Sequence, residues 1–242
     1  MSYTIIISLI LLCAGASFVQ RVCGFGFGVF IMTMLPFLCP SYGEATTLSG
    51  ILAAAQSFYV LCFMWRLVVW RRIWLMMISF VVVSYVAIQY VAIATDSILS
   101  ILLGITLILL SLYFLFFSKH VRLKPTRTLQ LSMGALSGAM GGLFGMHGPP
   151  AVVYFIEVEH DKNKYMAVCQ AFFLITNIIM TIFRAQRGFL TSFVGVSALY
   201  AVVGVVLGSY FGKLVFDKIP AELLRKIIYV YMIISGLITI FH

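Results

Sequence analysis

The chain has 242 residues, of which 63% are apolar and only 10% are charged. A soluble globular domain carries about 25% charged residues, so this composition excludes one. The apolar residues form continuous runs, and a helix that crosses a bilayer needs about 20 such residues. We therefore expect an all-α multi-pass membrane protein with no room for a soluble domain.

The formal net charge of +9 comes from 16 Lys and Arg against 7 Asp and Glu. The basic residues cluster in short polar segments, as is typical of loops retained in the cytoplasm, so nucleic acid is not an expected partner. The main clusters are Arg66, Arg71 and Arg72, and then Lys119, Arg122, Lys124 and Arg127. The 5 cysteines form no C-x-x-C pair, so we expect neither a metal site nor a cofactor.

Apolar segments follow one another along the chain. They run over residues 3–38, 45–64, 73–93, 98–117, 129–156, 166–183, 190–211 and 223–241. The first would be about 54 Å long as a single helix, whereas the hydrocarbon core is about 30 Å thick. The first and the fifth segments are therefore predicted to break, and each contains a glycine cluster where it can do so.

The two glycine clusters correspond in register. The cluster from Gly24 to Gly28 lies 121 residues before the cluster from Gly145 to Pro149, and the same offset pairs Gln56 with Asn177. Segment order agrees as well, since each broken segment is followed by three plain ones. This agreement predicts an internal repeat.

The repeat divides the chain into a first half, residues 1–118, a basic cytoplasmic linker, residues 119–128, and a second half, residues 129–242. If each broken segment crosses once, the halves have four spans and run parallel; if each folds back as a hairpin, they have five and are inverted. The first arrangement leaves six basic residues of the second half outside the cytoplasm, whereas the second leaves only Arg184 and Arg187 there. The positive-inside rule therefore favours two inverted repeats of about five helices, each with three plain spans and one glycine-broken helical hairpin.

The glycine breaks predict a substrate site near the middle of the membrane. Irregular backbone at that depth needs protein or a wet cavity to satisfy its polar groups. Helices that resume near Gly28 and Pro150 would present free N–H groups and positive dipole ends to an anion. The alternative use of such glycines is close helix packing. The candidate residues at the breaks are Gly24, Gly26, Gly28, Gly145, His147, Gly148 and Pro149.

A few polar side chains within the apolar segments extend this candidate site. Gln56 and Asn177 can donate to an oxyanion, unless they only hold helices together, and Gln170 lies about two turns before Asn177. His147 can donate to an anion, carry a coupling proton or serve the structure. Arg21 is either an anchor at the interface or, in a shallower hairpin, a buried partner for an anion. No acid lies in the middle of a predicted span, so no carboxylate relay is visible.

Two glycine-rich stretches carry a resemblance to a known family: Gly24 to Pro36, and Gly134 to Pro149 with the sequence GALSGAMGGLFGMHGP. With the segment around Asn177, they resemble the TauE/SafE family of membrane transporters over essentially the whole chain. The resemblance implies a carrier in the bacterial inner membrane for small sulfur-containing anions such as sulfite or short organosulfonates.

The expected function is secondary transport of a small anion by alternating access. Because no G-x-x-x-x-G-K-[ST] motif occurs, the anion's own gradient or protons would supply the energy. An anion channel is one alternative. An intramembrane enzyme with His147 as its base is another, although Ser137 has no G-x-S-x-G around it. The expected partners are the anion and the lipid bilayer, and the sequence leaves open whether the protein forms a homodimer.

Overall fold

The computed structural model describes residues 3–117, 126–215 and 221–241, which fold into helices without any β-strand. In chain order the helices are α1 (Tyr3–Cys23), α2 (Phe27–Ile31), α3 (Leu35–Leu38), α4 (Tyr42–Met64), α5 (Trp74–Val91), α6 (Asp96–Leu112), α7 (Arg127–Phe144), α8 (Gly148–Val158), α9 (Lys162–Gln186), α10 (Ser192–Val215) and α11 (Ala221–Phe241). The prediction of an all-α protein is confirmed.

Six helical stretches of the described ranges are long and apolar enough to cross a membrane. They are Tyr3–Cys23, Tyr42–Leu67, Trp74–Val91, Asp96–Phe116, Lys162–Gln186 and Ser192–Val215. Many large apolar side chains on them are exposed, among them Leu11, Phe58 and Leu199. Such an outer surface suits lipid tails, which are as apolar as leucine. The protein is therefore a multi-pass membrane protein, as predicted.

Both long apolar segments break at their glycine clusters, as the sequence predicts. One break lies between α1 and α2, and the other between α7 and α8. Gly24, Gly26 and Gly145 have φ angles of +85°, +111° and +68°, a region that side chains with a Cβ rarely adopt. The resumed helices begin at Phe27 and Gly148, slightly before the predicted starts.

The helices of the two halves follow the same order, because each half has a broken pair followed by three longer helices. Across the halves, α1 packs along α10 and α7 along α5, while α4 packs against α9 and α6 against α11. Matching the halves in order pairs α1 with α7, α2 and α3 together with α8, α4 with α9, α5 with α10, and α6 with α11. Under this matching the contact of α1 with α10 becomes that of α7 with α5. The contacts of α4 with α9 and of α6 with α11 each correspond to themselves. The inverted orientation in the membrane and the boundaries at 1–118, 119–128 and 129–242 stay predictions, and residues 118–125 of the linker region lie outside the described residues.

Glycines let the helix pairs between the halves approach closely. A Cβ at Gly208 of α10 would lie 2.1 Å from the carbonyl oxygen of Ala14 on α1, and Gly204 is equally close to the α1 backbone. Gly134 and Gly138 of α7 make the same kind of contact with α5. Small residues spaced four apart are typical of close helix packing in membranes. The two tight pairs hold α1 and α7, the helices that end at the breaks.

Candidate functional site

The two glycine breaks, far apart in the sequence, meet in the interior of the protein. A Cβ at Gly28 would lie 2.5 Å from the carbonyl oxygen of Gly145 and 3.2 Å from Cα of Met146. Any larger residue at position 28 would therefore push the second break away. The structure brings the breaks together, as the repeat predicts.

A small cavity lies where the breaks meet. It is lined by Gln20, Gly26, Phe27, Gly28, Val29, Ala53, Gly145, Met146, His147, Gly148, Phe173 and Asn177. Of the predicted site residues, Gly26, Gly28, Gly145, His147, Gly148 and Asn177 are among these. The cavity has room for about one water molecule, so the structure shows a closed site that has to widen to take a larger ligand.

His147 occupies the residue before α8 and is 5% exposed. Its Nε2 lies 3.1 Å from Thr176 Oγ1, and that hydroxyl donates to the carbonyl of Phe172 at 2.7 Å. Because a hydroxyl has one proton, the hydroxyl accepts from Nε2–H, which assigns this tautomer from the hydrogen-bond network. Nδ1 has no partner. The ring packs edge-on against Phe80 and Phe173.

Asn177 is the second polar side chain with unused hydrogen-bonding capacity at the cavity. It is 1% exposed and lies in the middle of α9. Its Nδ2 donates to the carbonyl of Phe173 at 2.8 Å, whereas Oδ1 has no partner. An unpaired buried polar atom is unfavourable, so water or a donor group of a ligand would satisfy Oδ1, while the second N–H of Nδ2 can donate to an anion.

The sequence predicts two equivalent helix N-termini at the breaks, but α2 and α8 present different sets of free backbone N–H groups. α2 has only 5 residues, so its dipole is small, although the N–H groups of Gly28 and Val29 have no acceptor within the helix. α8 has 11 residues, but Pro149 and Pro150 have no N–H, which leaves Gly148 as the donor of its first turn. The N–H donors are therefore few and come from both breaks.

Gln20 and Gln170 hold the first break in place. Gln20 Nε2 donates to Gln170 Oε1 at 3.0 Å, and Gln20 Oε1 accepts from the N–H of Phe27 at 3.2 Å. Gln170 Nε2 in turn donates to the carbonyl of Gly24 at 3.3 Å. Neither Gln170 nor Gly24 lines the cavity, so we assign both to its support. Gln20 was not among the predicted site residues, although a polar residue one turn before a glycine break is a signal that could have identified it.

Gln56 takes a different position from its repeat counterpart Asn177. Gln56 Nε2 donates to the carbonyl of Ser17 at 3.4 Å, and its Oε1 accepts from the hydroxyl of Ser209. The amide therefore joins α4 to α1 and α10 and does not line the cavity. In this structure Gln56 connects helices, which is the alternative that the sequence left open.

Arg21 and Pro149 also lie outside the lining of the cavity. Arg21 is in the last turn of α1, where its Cβ and Cγ would be 2.8 Å and 3.0 Å from a Cβ at Gly212 of α10. Pro149 lines an adjoining, wholly apolar cavity together with Phe25 and Phe114. The two cavities share Gly26 and Val29, so a polar space and an apolar space lie side by side at the breaks.

Arg184, in the last turn of α9, is a buried cation whose burial was not predicted from the sequence. It is 1% exposed, although the positive-inside rule had predicted a position at the non-cytoplasmic side of the membrane. Nη2 donates to the carbonyls of Gly141 at 2.7 Å and Gly142 at 3.3 Å, and Nη1 donates to that of Thr46 at 3.0 Å. Nε has no partner, and no acid of the described chain pairs with the guanidinium. No sequence pattern marks Arg184, because its partners are backbone oxygens of distant segments.

A larger cavity lies at the start of α7, next to the basic linker. It has a volume of about 580 Å³ and is lined by Val69, Arg71, Arg72, Thr126, Arg127, Gln130 and Tyr154. The lining includes three arginines and no acid. Because like charges in a cleft raise the local concentration of the opposite charge, this cavity favours small anions.

Comparison with known proteins agrees with a transport site. Residues 9–239 match the family model of the sulfite exporter TauE/SafE. The chain belongs to this family. It is 26% identical over 218 residues to a probable sulfite/organosulfonate exporter TauE of Cupriavidus necator, a match that covers 84% of this chain and 80% of the relative. No solved structure matches the chain at a significant level.

Membership of the TauE/SafE family confirms the resemblance seen in the glycine-rich stretches. Because the members of this family are exporters, the chain is a membrane transporter and not an enzyme. The intramembrane-enzyme alternative, with His147 as its base, is therefore set aside.

Proposed function

We propose that this TauE/SafE protein is a secondary transporter of the bacterial inner membrane that moves sulfite or a short organosulfonate by alternating access. The observation that supports it best is the cavity between the two glycine breaks, to which both halves of the chain contribute donors. A site at the junction of two repeats is the arrangement that lets a bundle open first to one side and then to the other.

The donors of this cavity suit an oxyanion that has to be bound and then released. They are the N–H groups of Gly28 and Gly148 and the second N–H of Asn177 Nδ2, and His147 would join them only with a proton on Nδ1; the lining contains no carboxylate. Neutral donors hold an anion less tightly than an ion pair does, and transport requires release as well as binding.

The apolar cavity beside the breaks favours an organosulfonate as substrate. Its lining includes Val19, Phe25 and Phe114, and it adjoins the polar cavity at Gly26 and Val29. A short alkyl sulfonate has an oxyanion head and an apolar tail, so it could place one in each space once both have widened, since each now has room for about one water molecule at most. The relative's name, probable sulfite/organosulfonate exporter, supports the same substrate class.

The arginine-lined cavity at the start of α7 serves in this proposal as the cytoplasmic entrance. It adjoins the basic linker that the positive-inside rule assigns to the cytoplasm. Arg71, Arg72 and Arg127 would raise the concentration of the anion at this entrance, and the effect would weaken at high ionic strength.

Counterflow in proteoliposomes tests the transport function. Vesicles preloaded with unlabelled ethanesulfonate are expected to accumulate labelled ethanesulfonate or sulfite, with saturable uptake that depends on the internal anion. A channel would give flux without this stimulation. Failure to exchange sulfite and a series of alkyl sulfonates would remove the substrate assignment, and failure across a broad panel of anions would remove the function.

Two repeat-related amides provide a matched pair of variants for the site. Asn177→Ala is expected to raise KM for ethanesulfonate about tenfold, because it removes a group that lines the cavity. Gln56→Ala is expected to lower thermal stability while KM stays near the wild-type value, because its amide bonds only α1 and α10. Equal effects of both changes on KM would contradict this division of roles.

A further inference from the structure

A stripe of polar side chains runs from the central cavity along one face of α9. Asn177, Thr181 and Arg184 are spaced by four and three residues, so they share that face and extend over about two turns. Opposite them lies Gly50 of α4: a Cβ there would be 3.3 Å from Arg184 Nη1, 3.4 Å from Thr181 Oγ1 and 3.7 Å from Asn177 Oδ1. The three side chains therefore converge on one point of the α4–α9 interface.

The stripe contains more hydrogen-bonding capacity than the closed structure uses. Asn177 Oδ1, Thr181 Oγ1 and Arg184 Nε are buried atoms without a partner, and so is Ser49 Oγ on the facing helix. Ser49, Asn177 and Arg184 are each at most 1% exposed. Buried polar atoms are paired in most proteins. Thr181 Oγ1, Ser49 Oγ and Arg184 Nε carry protons that an anion would accept, whereas Asn177 Oδ1 only accepts and would be satisfied by water.

The buried charge of Arg184 needs an explanation beyond its present contacts. Its Nη2 donates to the carbonyls of Gly141 and Gly142 in the last turn of α7, and the carbonyl of Gly141 already accepts from the N–H of Gly145. A neutral donor such as glutamine could satisfy these oxygens without the unfavourable burial of a charge. A cation that is buried without an acid is a site where an anion would be favourable.

The α4–α9 interface is also a place where movement is expected. α4 belongs to the first half of the chain and α9 to the second, and the bond from Arg184 Nη1 to the carbonyl of Thr46 crosses between them. Alternating access moves one repeat against the other. Separation of the two helices would break this bond and free the guanidinium fork for a ligand.

We propose that Arg184, with Thr181 and Ser49, forms a second subsite for a small oxyanion on a path that leads from the central cavity along the α4–α9 interface. The anion would leave Asn177, move about 10 Å along α9 and meet the guanidinium once the two helices part. Arg184 would accept it by a charge-assisted, bidentate contact and give it up to solvent. Return of Nη1 to the carbonyl of Thr46 would close the path again. This inference rests on the proposed transport of anions.

The test compares ethanesulfonate counterflow and thermal unfolding of purified variants. Arg184→Gln keeps a donor for the α7 carbonyls but removes the charge, so we expect KM to rise at least tenfold; Arg184→Lys should recover part of the loss. Arg187→Gln is the matched control, because Arg187 is exposed and lies three residues further along the chain. It should keep the wild-type KM.

Two further variants keep the test independent of the folding of Arg184→Gln. Gly50→Ala places a methyl group among the converging side chains, yet alanine favours the helix, so the protein should remain stable while KM rises. The double variant Ser49→Ala/Thr181→Val removes two hydroxyls with little change in volume and should also raise KM.

The outcomes separate the subsite from the transport function. If the wild type exchanges ethanesulfonate while Gly50→Ala and Ser49→Ala/Thr181→Val both keep its KM, the subsite is refuted and the transport function stands. A lower unfolding temperature of Arg184→Gln at an unchanged KM would refute it too, and would reduce Arg184 to a helix cap. If the wild type exchanges none of the anions, both proposals fail.

Discussion

At the scale of single residues, the hydrogen bonds of His147 specify how it would couple a proton to an anion. Nε2–H donates to Thr176, so the neutral ring has a lone pair at the unpaired Nδ1. A lone pair repels the oxygens of an anion, whereas a protonated Nδ1 would donate to them. Binding of a proton at His147 would therefore favour binding of the anion, and linkage requires the reverse as well.

The pH dependence of transport tests this coupling. Ethanesulfonate does not titrate near neutral pH, so any pH effect on its KM reports on the protein. Because the anion and the proton would favour each other's binding, we expect the affinity of the wild type to rise as pH falls, and His147→Ala to abolish this dependence. His160→Ala is the control, because His160 is exposed in the segment between α8 and α9. A pH profile that survives in His147→Ala would return His147 to a structural role.

The polar residues of the site were only partly predictable from the sequence. The offset of 121 correctly related the two breaks, but it treated Gln56 and Asn177 as equivalent. Their backbones correspond, whereas their neighbours do not: Gln56 faces α1 and α10, and Asn177 faces the cavity. The burial of Arg184 could not be predicted from the sequence, because it depends on backbone carbonyls that only the folded chain brings next to the guanidinium.

At the scale of helices, the positions of the breaks were predictable, but the lengths of the resumed helices were not. α8 continues for 11 residues, whereas the equivalent stretch of the first half is divided into α2 and α3. Pro36 lies in the first turn of α3, where its missing N–H is tolerated, but it could not have continued α2. The repeat predicts similar helices after the two breaks. Pro36 makes them differ, since α2 and α3 stand where the second half has only α8.

The contact of α1 with α10 depends on glycine, and two positions of α10 allow this to be measured. Gly208→Ala would place a Cβ 2.1 Å from the carbonyl oxygen of Ala14, so the helices have to separate, which we expect to lower the free energy of unfolding by about 1–3 kcal/mol. Gly195→Ala gains the same helix propensity, but no atom lies within 4 Å of its Cβ. Thermal unfolding in detergent should therefore show a lower Tm for Gly208→Ala and an unchanged or higher one for Gly195→Ala. Equal shifts would show that this close approach does not limit stability.

At the scale of the whole molecule, the packing of each half against the other would allow the proposed site to open to either side of a membrane. The tight pairs, α1 with α10 and α7 with α5, each join a broken helix of one half to a plain helix of the other. The ends of α1 and α7 meet at the cavity between the breaks. A motion of the α1–α10 pair against the α5–α7 pair would change access to the cavity without separating the helices within either pair.

This mechanism requires the inverted topology, and one position of the chain distinguishes it from the parallel alternative. With the linker in the cytoplasm, Asn163 lies inside if the second broken segment is a hairpin and outside if that segment crosses once. Ser97 lies outside in both arrangements, and both residues are exposed in the first turn of a helix.

Labelling of single cysteines in intact bacterial cells decides between the two arrangements. In a variant whose native cysteines are replaced by alanine, a maleimide that does not cross membranes is expected to label Ser97→Cys at once, because that position faces the outside in either case. Asn163→Cys should stay unlabelled until the membrane is permeabilised, since the hairpin leaves only Arg184 and Arg187 of the basic residues on the outer side. Labelling of Asn163→Cys in intact cells would favour four parallel spans in each half, and rocking of inverted repeats could then no longer account for transport.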